Sequence, residues 1–126
     1  MNIVSSDERP RVWTGHLGPV TVPDLDAGID FYVALGCRLA HREDGVGIVE
    51  LRGGTHLIVR VGDPQSGEAS PFDLMDDDLD VTHADYVEAE LAPSDIVDGS
   101  IHRHFTVTDP GGRVIRVDDS HVVGAV

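Results

Sequence analysis

The phrase Asp24-Leu25-Asp26, followed by Tyr32-Val33, returns later as Asp78-Leu79-Asp80 followed by Tyr86-Val87 at the same spacing. With two further residues inserted, Ile58-Val59-Arg60-Val61 falls on Val114-Ile115-Arg116-Val117. Chance gives one such match; matches in a common order indicate a duplicated module. In 126 residues, two copies leave room for one compact domain built from the pair.

Within the first copy, Val20-Thr21-Val22 has the β-branched residues of a strand and runs into a Pro-Asp turn. Asp24 or Asp26 caps a helix whose residues Ile29, Phe31, Tyr32 and Leu35 share one broad face, and Gly36 ends it. Strands are expected at Cys37–Arg42, Val46–Arg52 and Thr55–Val61, the last two joined by a turn at Gly53-Gly54. The second copy repeats the order: a strand at Pro71–Asp76, a helix opened by Asp78 and carrying Val81, Ala84, Val87 and Leu91, and an extended stretch near Ile96. Strands at Ile101–Thr108 and Arg113–Asp118, joined by a turn at Asp109–Gly112, complete it. The reading is one domain over residues 1–126, with module one at about 14–62, a linker at 63–70 and module two at about 71–120.

Charge narrows the partners. Nine Lys and Arg stand against 23 Asp and Glu, a formal net charge of −14. Nucleic acid demands a basic face, and an anionic membrane surface repels such a chain, so neither is an expected partner. Hydrophobic residues make up 40%, enough for a core. The single cysteine, Cys37, excludes an intramolecular disulfide framework and a cysteine zinc cage; it reads first as a small strand residue and second as a reactive thiol. The opening residues lack the apolar run of a signal peptide, and no segment has the apolar length of a membrane span, so a cytoplasmic location is expected.

Two β-α-β-β-β modules, the repeated Asp-Leu-Asp phrase and the closing Asp109-Pro-Gly-Gly-Arg-Val-Ile-Arg-Val117 together resemble the vicinal oxygen chelate superfamily. That group includes glyoxalase I, extradiol dioxygenases, fosfomycin-resistance enzymes and bleomycin-binding proteins. The resemblance covers about residues 15–120 and implies an α+β fold, in which the modules form a cup-shaped mixed sheet with helices on its outer face. It also implies a divalent metal in the enzymes, held by His or Gln on the first strand and Glu on the last strand of each module. In this chain those positions fall on Leu17, Pro71, Arg60 and Arg116. None is a ligand for a cation, so no metal and no other cofactor is expected. His16, one residue from Leu17, reaches the cup only if the strand slips by one.

Alternation then assigns the lining of the cup. Leu57, Val59, Val61, Phe105, Val107, Ile115 and Val117 should pack under the helices. The opposite face should present Leu17, Thr21, His56, Ile58, Arg60, Asp73, Met75, His102, His104, Thr106, Arg116 and Asp118. Three readings of this lining stay open: a solvated groove with Arg60 and Arg116 paired to Glu50, Asp73 or Asp118; a ligand cup in which two arginines grip an anion; and a relocated catalytic centre using His102, His104 and Asp73. His56 and His83 are weaker candidates, with His83 expected to face solvent, and Trp13 is expected to cover a sheet edge or a partner subunit. The acidic run from Asp73 to Asp80 reads as a helix N-terminus. The leading functional expectation is a homodimer that binds a small organic molecule, such as an antibiotic or secondary metabolite, without a metal. The alternative is an enzyme of the same fold (lyase, isomerase or dioxygenase-like) with a relocated metal or a His/Asp acid–base pair.

Overall fold

The computed structural model describes residues 9–120 and 125–126. Module one contains β1 (His16–Val22), α1 (Leu25–Leu35), β2 (Arg38–Glu43), β3 (Val46–Glu50) and β4 (His56–Val61). Module two contains β5 (Leu74–Asp76), α2 (Leu79–Glu88), β6 (Val97–Asp98), β7 (Arg103–Thr108) and β8 (Val114–Asp119). Each module forms a four-stranded mixed sheet, ordered β1-β4-β3-β2 and β5-β8-β7-β6. In both, the first strand runs parallel to the last and the other pairs are antiparallel. The repeated phrases are thus repeated topology, and the fold is the α+β arrangement expected.

Local chemistry explains the helix limits. The Asp24 carboxylate accepts from the Ala27 N–H and caps α1, while Gly36 at φ 123° lets the chain turn back and donate to the last carbonyls. Asp78 caps α2 through the Val81 N–H, and Asp76 accepts from the Asp78 N–H and the Thr82 hydroxyl. The acidic run is therefore spent on starting α2. That helix stops at Glu88, before the expected Leu91, because Glu90 and Ala92 take positive φ values of 62° and 51°. Gly53 and Gly54, also at positive φ, shape a short 3-10 turn between β3 and β4.

The helices lie against one face of each sheet. Val20, Val22, Val49, Leu57 and Val59 are buried together with Leu25, Ile29 and Tyr32, and Phe105, Val107, Ile115 and Val117 with Leu79 and Tyr86. Each such side chain contributes about 1.5–3 kcal/mol on leaving water. Val61, expected in the same set, is corrected: it is half exposed at the end of its strand. Contact is close enough at Gly47 that an added Cβ would lie 2.6 Å from Ile29 Cδ1. His83 departs from expectation: its ring packs edge-on against Phe105 and Nε2 donates to the Ser94 carbonyl, so it ties α2 to the following loop. Trp13 is 70% exposed.

The two modules join through specific polar contacts. The Tyr32 hydroxyl donates to Asp109 Oδ2 at 2.7 Å, and the Tyr86 hydroxyl donates to the Leu35 carbonyl. Both repeated tyrosines thus reach into the opposite module. The 63–70 segment, expected as a linker, is hydrogen-bonded to module two: Gln65 and Gly67 donate to Gly111 and Gly112, Ser70 donates to Val114, and Val114 donates to Glu68.

Candidate functional site

The faces turned away from the helices carry the candidate residues. In module one, register sets His16 beside His56 and Thr21 beside Arg60, but with an irregularity between Leu17 and Val20. The extra residue at Gly18-Pro19 reverses part of the expected lining. Leu17 pairs with Leu57 and packs against the core, so its assignment to the cup is corrected. His16 takes the polar face instead, its ring centroid 5.9 Å from that of His56. His56 Nε2 donates to Glu50 Oε2 at 3.1 Å, and Glu50 also pairs with Arg38. The Arg38 guanidinium first, then His56, hold the Glu50 carboxyl below its ordinary value. Ile58 is half-buried on this face and Arg60 is exposed. Thr21 donates its hydroxyl to the Asp63 carbonyl.

In module two the polar row runs His104, Asp118, Met75 across β7, β8 and β5, with Thr106 beside Arg116 in the next row. Asp118 is 2% exposed, and Arg116 Nε donates to its Oδ1 at 2.6 Å. Asp73 lies against the same carboxyl: partial burial first, and then Asp118, hold the Asp73 carboxyl above its ordinary value. Arg116 is thus tied to an acid of its own strand rather than left to grip an anion together with Arg60. His102 falls outside β7, and its Nδ1 donates to the carbonyl and carboxylate of Asp119, 2.8 and 3.1 Å away. His104 keeps its place in the row, with Nδ1 enclosed and unpartnered. Of the three catalytic candidates, Asp73 precedes β5 and lies against Asp118 of β8, while His104 is on β7.

A notch of about 500 Å³ opens here, lined by Ala69, Ser70, Pro71, Phe72, Asp73, Thr106, Val114 and Arg116. Its cause is a break in the edge strand. Ala69 bridges Val114 and Leu74 pairs with Val117, so the edge spends five steps while β8 spends three. Pro71 has no N–H for the ladder, and Pro71-Phe72-Asp73 bend outward, which corrects the continuous strand expected from Pro71 to Asp76. Sequence reading missed Ala69, Ser70, Phe72 and Val114. The proline inside a strand pattern was the available signal. A second, larger cleft of about 640 Å³ lies at the module junction, between Leu35–Cys37, Leu51, Met75 and Tyr86, with Asp73 at its rim too.

The donor set does not fit the divalent metal of the enzymes that the sequence resembles. Leu17 is on the core side and His16, in its place on the polar face, is one imidazole donor; Pro71 has no side-chain donor, and Arg60 and Arg116 are cations. Among the described residues, no group of three or more His, Cys, Asp or Glu is placed to hold a metal ion. No described helix is long and apolar enough to cross a membrane.

No family model and no curated protein matches the chain. Solved structures do. The chain is similar to TnmS3, an antibiotic binding protein from a Streptomyces species, at a TM-score of 0.74 and 24% identity, over 88% of this chain and 98% of that one. It is similar to a bleomycin-binding protein complexed with bleomycin, at a TM-score of 0.68 and 20% identity, over 89% and 100% of the two chains. A lactoylglutathione lyase from Agrobacterium tumefaciens matches at a TM-score of 0.69 and 15% identity, over 89% and 96%. The paired βαβββ modules and these likenesses together give the chain the vicinal oxygen chelate fold, that of the glyoxalase and bleomycin resistance proteins.

Proposed function

We propose that this protein binds a small organic molecule on the polar faces of its sheets, without the divalent metal used by enzymes of the fold. The observation that carries the reading is that Pro71, Arg60 and Arg116 stand at three of the four metal-ligand positions, leaving His16, on the polar face in place of Leu17, as a single donor. The notch beside Arg116 supports it, since a concave site with apolar walls and a few convergent polar groups suits an organic ligand. Antibiotic-binding and bleomycin-binding proteins among the structural neighbours support an antibiotic or other secondary metabolite as the ligand class. The binding face comprises Thr21, His56, Ile58 and Arg60 of module one, with Asp73, Met75, His104, Thr106, Arg116 and Asp118 of module two. We take a cytoplasmic homodimer as the working assembly.

The test is metal analysis of protein purified from medium supplemented with Zn, Ni, Mn and Fe. Substoichiometric metal is expected, and one equivalent bound in the cup overturns the reading. Replacing His102, which lies outside the binding face, with Ala separates binder from enzyme: ligand binding persists in a binder, whereas an enzyme that uses His102 loses turnover.

A further inference from the structure

We propose that the notch beside β8 seats a planar, uncharged amide of the ligand, its carbonyl accepting from the Arg116 main-chain N–H; the assignment rests on the ligand-binding reading above. Along a strand, the main-chain groups of alternate residues turn to opposite neighbours. Val114 donates to the Glu68 carbonyl and accepts from the Ser70 N–H, so its amide faces the edge segment. Arg116, two residues on, turns its N–H the same way. In an unbroken ladder Asp73 would stand opposite Arg116, and the Phe72 carbonyl would accept that N–H. Pairing resumes only with Leu74 opposite Val117, so among the described residues no main-chain carbonyl takes it. The Phe72 N–H is satisfied within the bend, donating to Ser70 Oγ at 3.3 Å. The break therefore leaves one main-chain donor of β8 open, beside a cavity of about 500 Å³ that Arg116 lines.

The surroundings select a neutral group. The Arg116 guanidinium is engaged, its Nε donating to Asp118 Oδ1 at 2.6 Å. An anion would gain the N–H but would lie beside the carboxyl of Asp73, which lines the same notch. A cation has no lone pair to offer the N–H. An amide brings both halves of what the missing strand residue would have supplied. Its carbonyl accepts from Arg116, and its N–H donates to Asp73 or to the hydroxyl of Thr106, which stands beside Arg116 in register. Pro71, Phe72 and Val114 wall the notch, giving an apolar surface for an aryl or alkyl group attached to the amide.

Benzamide, benzamidine and benzoate share one shape, and only benzamide joins a neutral carbonyl to N–H donors. Each is titrated into the full chain and followed by amide chemical shifts and hydrogen exchange. In the free chain the Arg116 N–H is expected to exchange about a hundredfold faster than those of Ile115 and Val117, which the β7 ladder holds. Benzamide should slow that exchange and shift Arg116 and Phe72. It should bind about tenfold more tightly than benzamidine, the worth of one hydrogen bond. Phe72→Ala should weaken benzamide severalfold, while Val87→Ala on the exposed side of α2 leaves it unchanged. Equal binding of benzamide and benzamidine overturns the carbonyl assignment and leaves the ligand-binding reading intact, and tighter binding of benzoate does the same. So does slow exchange of the Arg116 N–H in the free chain, which would show the donor already taken. Silence of the notch toward benzamide also overturns the assignment; the ligand-binding reading falls separately, on one equivalent of metal bound in the cup.

Discussion

Tyr32 on α1 donates its buried phenol to Asp109, 77 positions later in the chain, at 2.7 Å. The acceptor is itself 4% exposed, and its other oxygen takes the N–H groups of Gly111 and Arg113. One carboxylate therefore shapes the β7–β8 turn and anchors it to the other module. Tyr32→Phe should cost about 1–3 kcal/mol in urea unfolding, since a buried charged acceptor loses a partner. Tyr86→Phe, whose partner is the neutral Leu35 carbonyl, should cost about 1 kcal/mol. Equal costs would contradict the special weight given to the carboxylate.

Arg60 and Arg116 occupy equivalent places in the repeat but not equivalent surroundings. Arg116→Ala leaves the Asp118 carboxylate buried without its guanidinium and should destabilise by about 1–3 kcal/mol. Arg60→Ala, at an exposed site, should stay within about 0.5 kcal/mol. Chemical denaturation of the two variants at neutral pH makes the comparison.

Asp73 should affect stability in the sense opposite to most carboxylates. Its value is raised in the folded chain, so the folded state binds the proton more tightly than the unfolded state. The associated stability is complete below the unfolded value of about 4 and is lost as pH rises through the folded value. Asp73→Asn cannot ionise and should melt about 1–3 °C above the parent at pH 7, a small gap because water screens an exposed acid. Melting curves at pH 3 and pH 7 should show that gap closing in acid.

Cys37 should be a slow thiol. Burial pushes it up to about 11, so little thiolate exists at neutral pH. Alkylation by iodoacetamide at pH 8 should run about a hundredfold slower than for an unhindered cysteine and recover its ordinary rate in denaturant. Fast labelling of the folded chain would exclude the enclosed position beside α1.

Much of this architecture was legible because it is written in local rules. Asp24 and Asp78 cap helices by the same hydrogen bond, and alternation placed Leu57, Val59, Ile115 and Val117 under them. The misassignments have a different origin. Leu17 changed faces because β1 holds one residue more than its partner strand, and alternation carries no record of an insertion. Alternation puts His102 in β7, whereas it lies ahead of that strand, held by Asp119. The notch depends on where a neighbouring strand resumes after Pro71, a property of two segments together. The pairing of Asp73 with Asp118 is likewise invisible in either segment alone.

The insertion in β1 bears on how such a face changes over time. A substitution replaces one side chain; one added or deleted residue exchanges the two faces for everything on one side of it. In β1 the core residues Val20 and Val22 keep their places while His16 and Leu17 trade theirs. Removing one residue near Gly18 would return Leu17 to the polar face and withdraw an imidazole from beside His56, without altering any other side chain. The chemistry offered by module one is thus separated from a quite different one by a single codon, a shorter path than the several point mutations that rebuilding a donor set would take.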